Sequence, residues 1–253
     1  ARTEDLARAI TAEQGKPLHE GRAETGKALR EARNMVAQAA HVGAAPVAAQ
    51  RAHVRNLVLR RPRGLIAAVT PWNFPVLTPM RKIAPALAFG NAIVLKPSDY
   101  TPAALGLIAE ASAATLPPGL LQIVNGGGET GSSLVEASEV DGVSFTGSVD
   151  TGRAIMKAAA ENLAEVSLEM GGKNAVIIND TQNLDACLDQ VVHAAFVSAG
   201  QRCTAISRVL VADHLADAVV EGLVARAHTQ VLGPGDADGT TMGPLTNRQQ
   251  LDR

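Results

Sequence analysis

Residues 142–152 read GVSFTGSVDTG. From Gly142 to Phe145 they form a short apolar run. A tight Thr146-Gly147-Ser148 break follows, and from Thr151 to Asn162 the pattern turns helical. This is a strand passing through a glycine turn into a helix, and the same alternation continues on both sides. Further strands are read at Gly64–Thr70, Ala92–Leu95, Leu120–Val124, Val166–Leu168, Ala175–Ile178 and Val209–Val211. The helical segments between them run over Thr78–Phe89, Pro102–Thr115, Thr130–Ala137, Leu184–Ala199 and Leu215–His228, several stopped by Gly or Pro. Short apolar strands alternating with helices imply a parallel sheet covered on both faces, an α/β fold of the doubly wound kind. In such a sheet ligands collect at the C-terminal ends of the strands.

Ahead of this pattern, residues 3–41 read as helical, with Thr3 placed to cap, Glu4 and Asp5 in the first turn, and a second helix from about Glu20 to His41. Between Gly43 and Gly64 the pattern changes. Val54, Leu57 and Leu59 alternate with Arg55, Val58 and Arg60 before Arg61-Pro62-Arg63-Gly64, which reads as an extended hairpin.

Composition narrows the function. The 253 residues carry 23 Lys+Arg against 25 Asp+Glu, a net charge of −2, which leaves no excess of positive charge for nucleic acid or an anionic membrane surface. No run reaches the ~18 apolar residues of a membrane span, and the opening ARTEDLARAI is charged where a signal peptide is apolar. A soluble, cytoplasmic protein is expected. Cys187 and Cys203 lack CxxC or Cys/His ligand spacing, so neither a disulfide scaffold nor structural zinc is expected, and no metal site is assigned. Aromatic residues are scarce, six in all, yet two fall within Pro71-Trp72-Asn73-Phe74-Pro75.

Four constellations at strand ends carry chemistry. Cys203, in Gly200-Gln201-Arg202-Cys203-Thr204, lies in a glycine-containing turn before a strand and beside a cation that favours thiolate, whereas Cys187 lies inside a helix and reads as core. Glu169, in Glu169-Met170-Gly171-Gly172-Lys173-Asn174, is a strand-end carboxylate suited to activating water against a thioester. Gly147, Ser148, Thr151 and Gly152 offer backbone amides, hydroxyls and a helix dipole to a pyrophosphate, although the spacing is not GxGxxG. Finally, Asn73 supplies a neutral amide donor of the kind that stabilises an oxyanion. Lys96 and Asp99, in Lys96-Pro97-Ser98-Asp99, are suited to gripping a ribose. Taken singly, each is as well explained as an ordinary capped turn or strand exit.

Taken together, in this order, the motifs Pro-Trp-Asn-Phe-Pro, Lys-Pro-Ser, Phe-Thr-Gly-Ser, Glu-Met-Gly-Gly-Lys-Asn and Gly-Gln-Arg-Cys-Thr resemble the NAD(P)-dependent aldehyde dehydrogenase superfamily, its semialdehyde dehydrogenases in particular. The Glu169-to-Cys203 spacing of 203 − 169 = 34 residues is similar to the family's. The resemblance implies Cys203 as the nucleophile attacking an aldehyde, Asn73 with the Cys203 backbone N–H as the oxyanion hole, and Glu169 as the base that hydrolyses the thioester. It implies NAD or NADP as cofactor, held by Thr70, Pro71, Trp72, Lys96, Ser98, Asp99, Gly147, Ser148, Thr151 and Gly152. The negative charge of Asp99 favours NAD over a 2′-phosphorylated dinucleotide. Arg202 is placed to pair with a substrate carboxylate, to tune the thiol or to face solvent.

On this resemblance residues 1–43 and 63–171 make a doubly wound NAD(P)-binding domain, 44–62 a projecting oligomerisation hairpin, and 172–253 the first part of an α/β catalytic domain. Family members are about twice as long, so the chain is expected to be a fragment lacking the C-terminal part, with apolar faces left exposed after residue 172. Its parent is expected to be a homodimer or homotetramer that takes a small-molecule aldehyde and binds neither nucleic acid nor membrane. Two alternatives accompany the aldehyde dehydrogenase: a dinucleotide-binding module without catalysis, and a CoA-acylating semialdehyde dehydrogenase. The presence of Glu169 disfavours the second.

Overall fold

The computed structural model describes residues 2–252. In chain order the elements are α1 (Thr3–Gln14), α2 (Leu18–Ala39), β1 (Ala45–Val47), β2 (Asn56–Val58), β3 (Leu65–Val69), α3 (Leu77–Ala88), β4 (Ala92–Lys96), α4 (Ala103–Ala113) and β5 (Leu121–Ile123). There follow α5 (Gly128–Glu136), β6 (Gly142–Gly147), α6 (Val149–Glu161), β7 (Glu165–Met170), β8 (Asn174–Ile178), α7 (Leu184–Phe196), β9 (Ile206–Val211), α8 (Ala216–Ala227) and α9 (Arg248–Leu251). The central sheet has the order β5-β4-β3-β6-β7, all parallel. Its chain order runs outward in one direction from β3 to β5 and in the other from β6 to β7, so the switch point, where a crevice opens, lies between β3 and β6.

Period-two alternation sends neighbouring side chains to opposite faces. Ala67 and Ala68, both fully buried, therefore serve two different cores. On one face Ala67, Val143 and Phe145 pack against Val135 of α5 and Ile155 and Ala159 of α6. On the other, Ala68, Ile93 and Leu95 pack against Ile83 and Ala86 of α3 and Leu105 of α4. A third cluster joins Ile10 of α1, Ala28 of α2 and Ala104 of α4 to Val76 and Leu77 at the start of α3. It docks the N-terminal helix pair on the segment that follows β3.

The parallel pair β8–β9 forms a separate small sheet, covered on one face by α7 and α8 through Ile178, Leu188, Val191 and Val219. On its other face Ile177 and Leu210, directly opposite each other in the ladder, are 73% and 53% exposed. The apolar exposure expected after residue 172 thus falls on this face. The hairpin read between Gly43 and Gly64 is formed by β1 and β2, antiparallel with Ala45 opposite Val58, and every residue of its two strands is exposed.

Three boundaries differ from the sequence reading. Thr3 is the first helical residue of α1 rather than its cap; Arg2 takes the cap position, with no side-chain hydrogen bond there. The second helix of the run 3–41 spans Leu18–Ala39 rather than Glu20 to His41: Gly15 turns left-handed at φ 93°, its N–H closing α1 on the carbonyl of Thr11, and Pro17 then starts α2 at Leu18. The segment read as Leu184–Ala199 stops as an α-helix at Phe196. Ser198 and Ala199 swing to φ 56° and 53°, giving a short 3-10 turn over Val197–Gly200.

Candidate active site

Strand register brings the motifs to one edge. Val69, the last residue of β3, lies beside Lys96 of β4 and Phe145 of β6, while Thr146 and Gly147 lie beside Glu169 and Met170 of β7. The segments leaving these strands, Thr70–Asn73 and Ser148, and the carboxylate of Glu169 thus emerge at the C-terminal edge, around the switch point. There an open cleft of about 1560 Å³ is lined by Pro71, Trp72, Asn73, Gly147, Ser148, Glu169 and Cys203. Thr70, Lys96, Ser98, Asp99, Thr151 and Gly152 are not part of its wall.

Cys203 is exposed, between the 3-10 turn and β9. Its loop is anchored by Asn174, the first residue of β8, whose Nδ2 donates to the carbonyls of Cys203 (2.7 Å) and Ala205 (3.0 Å). Asn73 Nδ2 donates to the carbonyl of Gln201 at 2.8 Å, tying the Trp72-Asn73 segment to the Cys203 loop. A primary amide carries two N–H groups, so one remains available to a ligand oxygen. Arg202 lines the cleft and is tied to the protein: its Nη2 donates to the carbonyl of Ala194 at 2.8 Å, and its Nε is buried without a partner.

Ser148 caps α6, its Oγ accepting from the backbone amide of Thr151 at 3.2 Å and lying 2.8 Å from the Thr151 hydroxyl. Thr151 is thus occupied with the cap. The amides of the first helical turn ahead of it have no intrahelical partner and carry the positive end of the dipole, a fit for an anion such as pyrophosphate. Gly147 and Gly152 have a packing reason of their own: a Cβ at Gly147 would strike the ring of Phe145, and one at Gly152 would come within 2.8 Å of the Met170 sulfur. Lys96 is buried, its Nζ donating to the carbonyls of Pro97 (2.6 Å) and Gly126 (2.5 Å). Burial holds its pKa below the ordinary lysine value, against the opposing pull of Asp99. Ser98 Oγ accepts from the amide of Tyr100 at 3.2 Å, and Asp99 is exposed.

Among the cations of the cleft that were not singled out from sequence are Lys82 and Arg81. Lys82 of α3 is only 8% exposed and donates to Ser144 Oγ at 3.0 Å. Burial pushes its pKa down to about 8, with the Glu169 carboxylate pulling the other way. Arg81, its neighbour, is held bidentately by Glu31 at 2.5 and 2.8 Å. Its pKa is raised, first by those hydrogen bonds, and it lines the same cleft as Cys203 and Glu169. A lysine on the apolar side of a helix was the available signal for Lys82; nothing in the sequence marked Arg81. Among the described residues no cluster of three His, Cys, Asp or Glu is arranged to hold a metal ion, and no helix is long and apolar enough to cross a membrane.

A doubly wound sheet whose switch-point cleft joins a cysteine, a carboxylate, an amide donor and a helix N-terminus defines a nucleotide-binding fold with an exposed cysteine at its edge. The chain belongs to the aldehyde dehydrogenase family, whose model matches residues 1–253. It is 38% identical over 244 residues to the glutarate-semialdehyde dehydrogenase of Pseudomonas putida, covering 96% of this chain and 51% of that one. It is 39% identical over 249 residues to the mitochondrial succinate-semialdehyde dehydrogenase of Arabidopsis thaliana, covering 98% and 47%. Among solved structures, a betaine aldehyde dehydrogenase mutant from Staphylococcus aureus in complex with NAD+ superposes with a TM-score of 0.95 at 34% identity, covering 99% of this chain and 51% of that one. The chain spans about half the length of the relatives it matches.

Proposed function

We propose that this chain carries the dinucleotide-binding and nucleophile-bearing parts of an enzyme that oxidises an aldehyde to a carboxylic acid through a cysteine thioester. The observation that carries the reading is the meeting of Cys203, Glu169 and Asn73 in the cleft at the C-terminal edge of the sheet. In this reading the Cys203 thiolate adds to the aldehyde carbonyl, forming a C–S bond and an oxyanion. The free N–H of Asn73 and the backbone N–H of Cys203 stabilise that oxyanion. A nicotinamide dinucleotide, when bound, supplies the hydride acceptor that leaves a thioester on Cys203. Glu169 then takes a proton from water, the hydroxide adds to the thioester, and the C–S bond breaks to release acid and thiolate.

The dinucleotide would be held by the α6 N-terminus with Gly147 and Ser148, beside the Thr70-Pro71-Trp72 segment. Lys96 and Ser98 are buried and would support the turn that presents Asp99 to a ribose; the charge of Asp99 supports NAD over NADP. Residues 1–43 and 63–171 are assigned to the dinucleotide-binding part, 172–253 to the catalytic part, and 44–62 to a hairpin that joins subunits. The fully exposed strands of that hairpin suit an edge awaiting a partner.

Substrate choice follows from charge. Arg81, a cation in the wall of the cleft that holds Cys203 and Glu169, supports an aldehyde that carries a carboxylate at its far end, a semialdehyde, as the names of several relatives also suggest. The test compares succinate semialdehyde with butanal, a neutral aldehyde of equal chain length, with NAD+ and NADP+ in turn. A kcat/KM at least tenfold higher for the semialdehyde, lost in Arg81→Gln, is expected. Equal rates for the two aldehydes would overturn the substrate assignment, and dinucleotide binding without any turnover would favour the binding module.

A further inference from the structure

The first turns of α2 carry Glu20 and Glu24, one helical turn apart, and each carboxylate holds a different segment of the site. Glu24, 4% exposed, accepts from the amides of Val76 (2.9 Å) and Leu77 (3.0 Å) at the start of α3 and from Lys16 Nζ at 2.8 Å. Lys16, 2% exposed, also donates to the carbonyl of Asn73 at 2.9 Å and lies 4.3 Å from the centre of the Phe74 ring. Glu20 reaches the other segment, accepting from the amide of Ser198 at 3.0 Å and from its hydroxyl at 3.2 Å.

Ser198 is where the chain is strained. It and Ala199 both sit in the left-handed region, neither is glycine, and each such residue costs about 1 kcal/mol or more. Consecutive left-handed residues persist only where surrounding contacts fix them. Ser198 is itself buried, and Glu20 is the group that engages both its amide and its hydroxyl. Three residues on, Gln201 gives its carbonyl to Asn73, and Cys203 follows at 203 − 198 = 5 residues from the strained turn. The contacts close a ring: α2 to Asn73 through Lys16 and Glu24, Asn73 to Gln201, and Ser198 back to α2 through Glu20.

We propose that Glu20 is a positioning residue for the Cys203 loop. In partnership with the Lys16–Glu24 pair it makes α2 the gauge that sets Cys203 against Asn73. The two carboxylates are offset along the helix by four residues, ~6 Å, so a rigid element fixes the offset between the two segments they hold. Like charges at i and i+4 weaken an isolated helix by a few tenths of a kcal/mol. Here each is committed to separate donors. The part of this inference that concerns turnover rests on the reading of Cys203 and Asn73 given above; the part that concerns the loop does not.

Glu20→Ala and Glu20→Gln, made in the full chain, test it through two readouts. Trypsin cleaves after Arg202, inside the held loop, and after Arg208, in β9. In Glu20→Ala cleavage after Arg202 is expected to speed up tenfold or more, with cleavage after Arg208 within twofold of wild type. Glu20→Gln, which keeps an acceptor oxygen for Ser198, should return Arg202 cleavage to within threefold. In the aldehyde assay Glu20→Ala should lower kcat at least tenfold and leave KM for the dinucleotide within twofold, and Glu20→Gln should recover most of kcat. Unchanged Arg202 cleavage in Glu20→Ala, or Arg202 and Arg208 cleavage rising together, would overturn the clamp. A loosened loop with wild-type kcat would overturn the role of α2 as a gauge for Cys203, since turnover would then need none. A wild-type chain that turns over no aldehyde but shows the expected cleavage pattern would sink the functional reading and leave the clamp on the loop supported.

Discussion

Replacing Lys82 by methionine keeps the length of the side chain and removes its charge, and the structure sets the size and the pH dependence of the effect. In the folded chain burial brings the lysine pKa from 10.5 down to about 8. At ~1.36 kcal/mol per pH unit this difference is a penalty of about 3 kcal/mol for keeping the buried amine protonated. The hydrogen bond to Ser144 returns about 1 kcal/mol. At pH 7 Lys82→Met is therefore expected to be more stable than wild type by about 2 kcal/mol. The sign then changes with pH. Between about 8 and 10.5 the unfolded chain still holds the lysine proton and the folded chain has released it, so wild-type stability rises with pH through that window. The methionine variant lacks this rise. Its advantage should shrink above pH 8, vanish near pH 10 and give way to a deficit of about 1 kcal/mol, the lost hydrogen bond. Urea unfolding followed by the fluorescence of Trp72, the single tryptophan of the chain, measures both proteins from pH 7 to 10.5. A variant less stable than wild type at pH 7, or a gap that stays constant across the range, would show that Lys82 is not held against its charge.

Cys203→Ala should abolish aldehyde oxidation and leave dinucleotide titrations unchanged, because the thiolate is needed for covalent attack only; Cys187→Ala should turn over as wild type does, and the reverse pattern would exchange their roles. Glu169→Gln should lower steady turnover by about 10²–10⁴-fold while an acyl group accumulates on Cys203, visible by intact mass. An unchanged rate removes Glu169 as the base. Ser148→Ala removes the α6 cap and should lower stability by about 1 kcal/mol in urea, together with a measurable loss of dinucleotide affinity; full affinity in the variant would take the α6 N-terminus out of the binding site.

The sheet was legible because its strands announce themselves twice, as apolar runs and as the places where turn chemistry begins. Val143 and Phe145 are buried between helices, and Thr146-Gly147-Ser148 ends the strand and caps the next helix. The residues read from sequence as a candidate site stood out for a related reason. Cys203, Glu169 and Asn73 sit at or past the ends of apolar strands or helices, so their chemistry stands out against a bland background. Less legible was the conformation at single positions. The pattern over 3–41 is helical on both sides of Gly15, and the break there comes from a left-handed glycine wedged against the Pro244 ring, a contact between residues far apart in sequence. Likewise, the left-handed pair Ser198–Ala199 has no glycine to signal it, because its conformation is imposed by a carboxylate 178 residues away. Lys96 was read as a ribose contact from its place at a strand end, where only the fold could reveal that its amine is turned inward on two carbonyls.

The same reasoning explains why the residues that hold the site escaped notice while the residues that form it did not. Catalytic groups must be chemically distinctive, so their type carries information. Groups that hold a site need only be in the right place, and their type is shared with every solvated helix face. Glu20 and Glu24 illustrate this: two acids at i and i+4 near a helix start read as favourable dipole partners and nothing more. Burial separates the two cases, since Glu24 is 4% exposed and Lys16 2% exposed, and a buried ion pair is tolerated only when its remaining hydrogen-bonding capacity is met. Here it is met by the backbone of Asn73, Val76 and Leu77, the segment that carries the amide donor. Removing one member of such a pair leaves a buried charge, which typically costs 3–5 kcal/mol, whereas replacing both by apolar groups is often neutral. Lys16→Met and Glu24→Leu should therefore each destabilise the chain strongly in urea, and the double variant less than their sum. If the pair serves only folding, the double variant should also keep its aldehyde turnover. If it holds Asn73, turnover should stay low even where stability is restored, and a double variant that is both stable and fully active would refute that role.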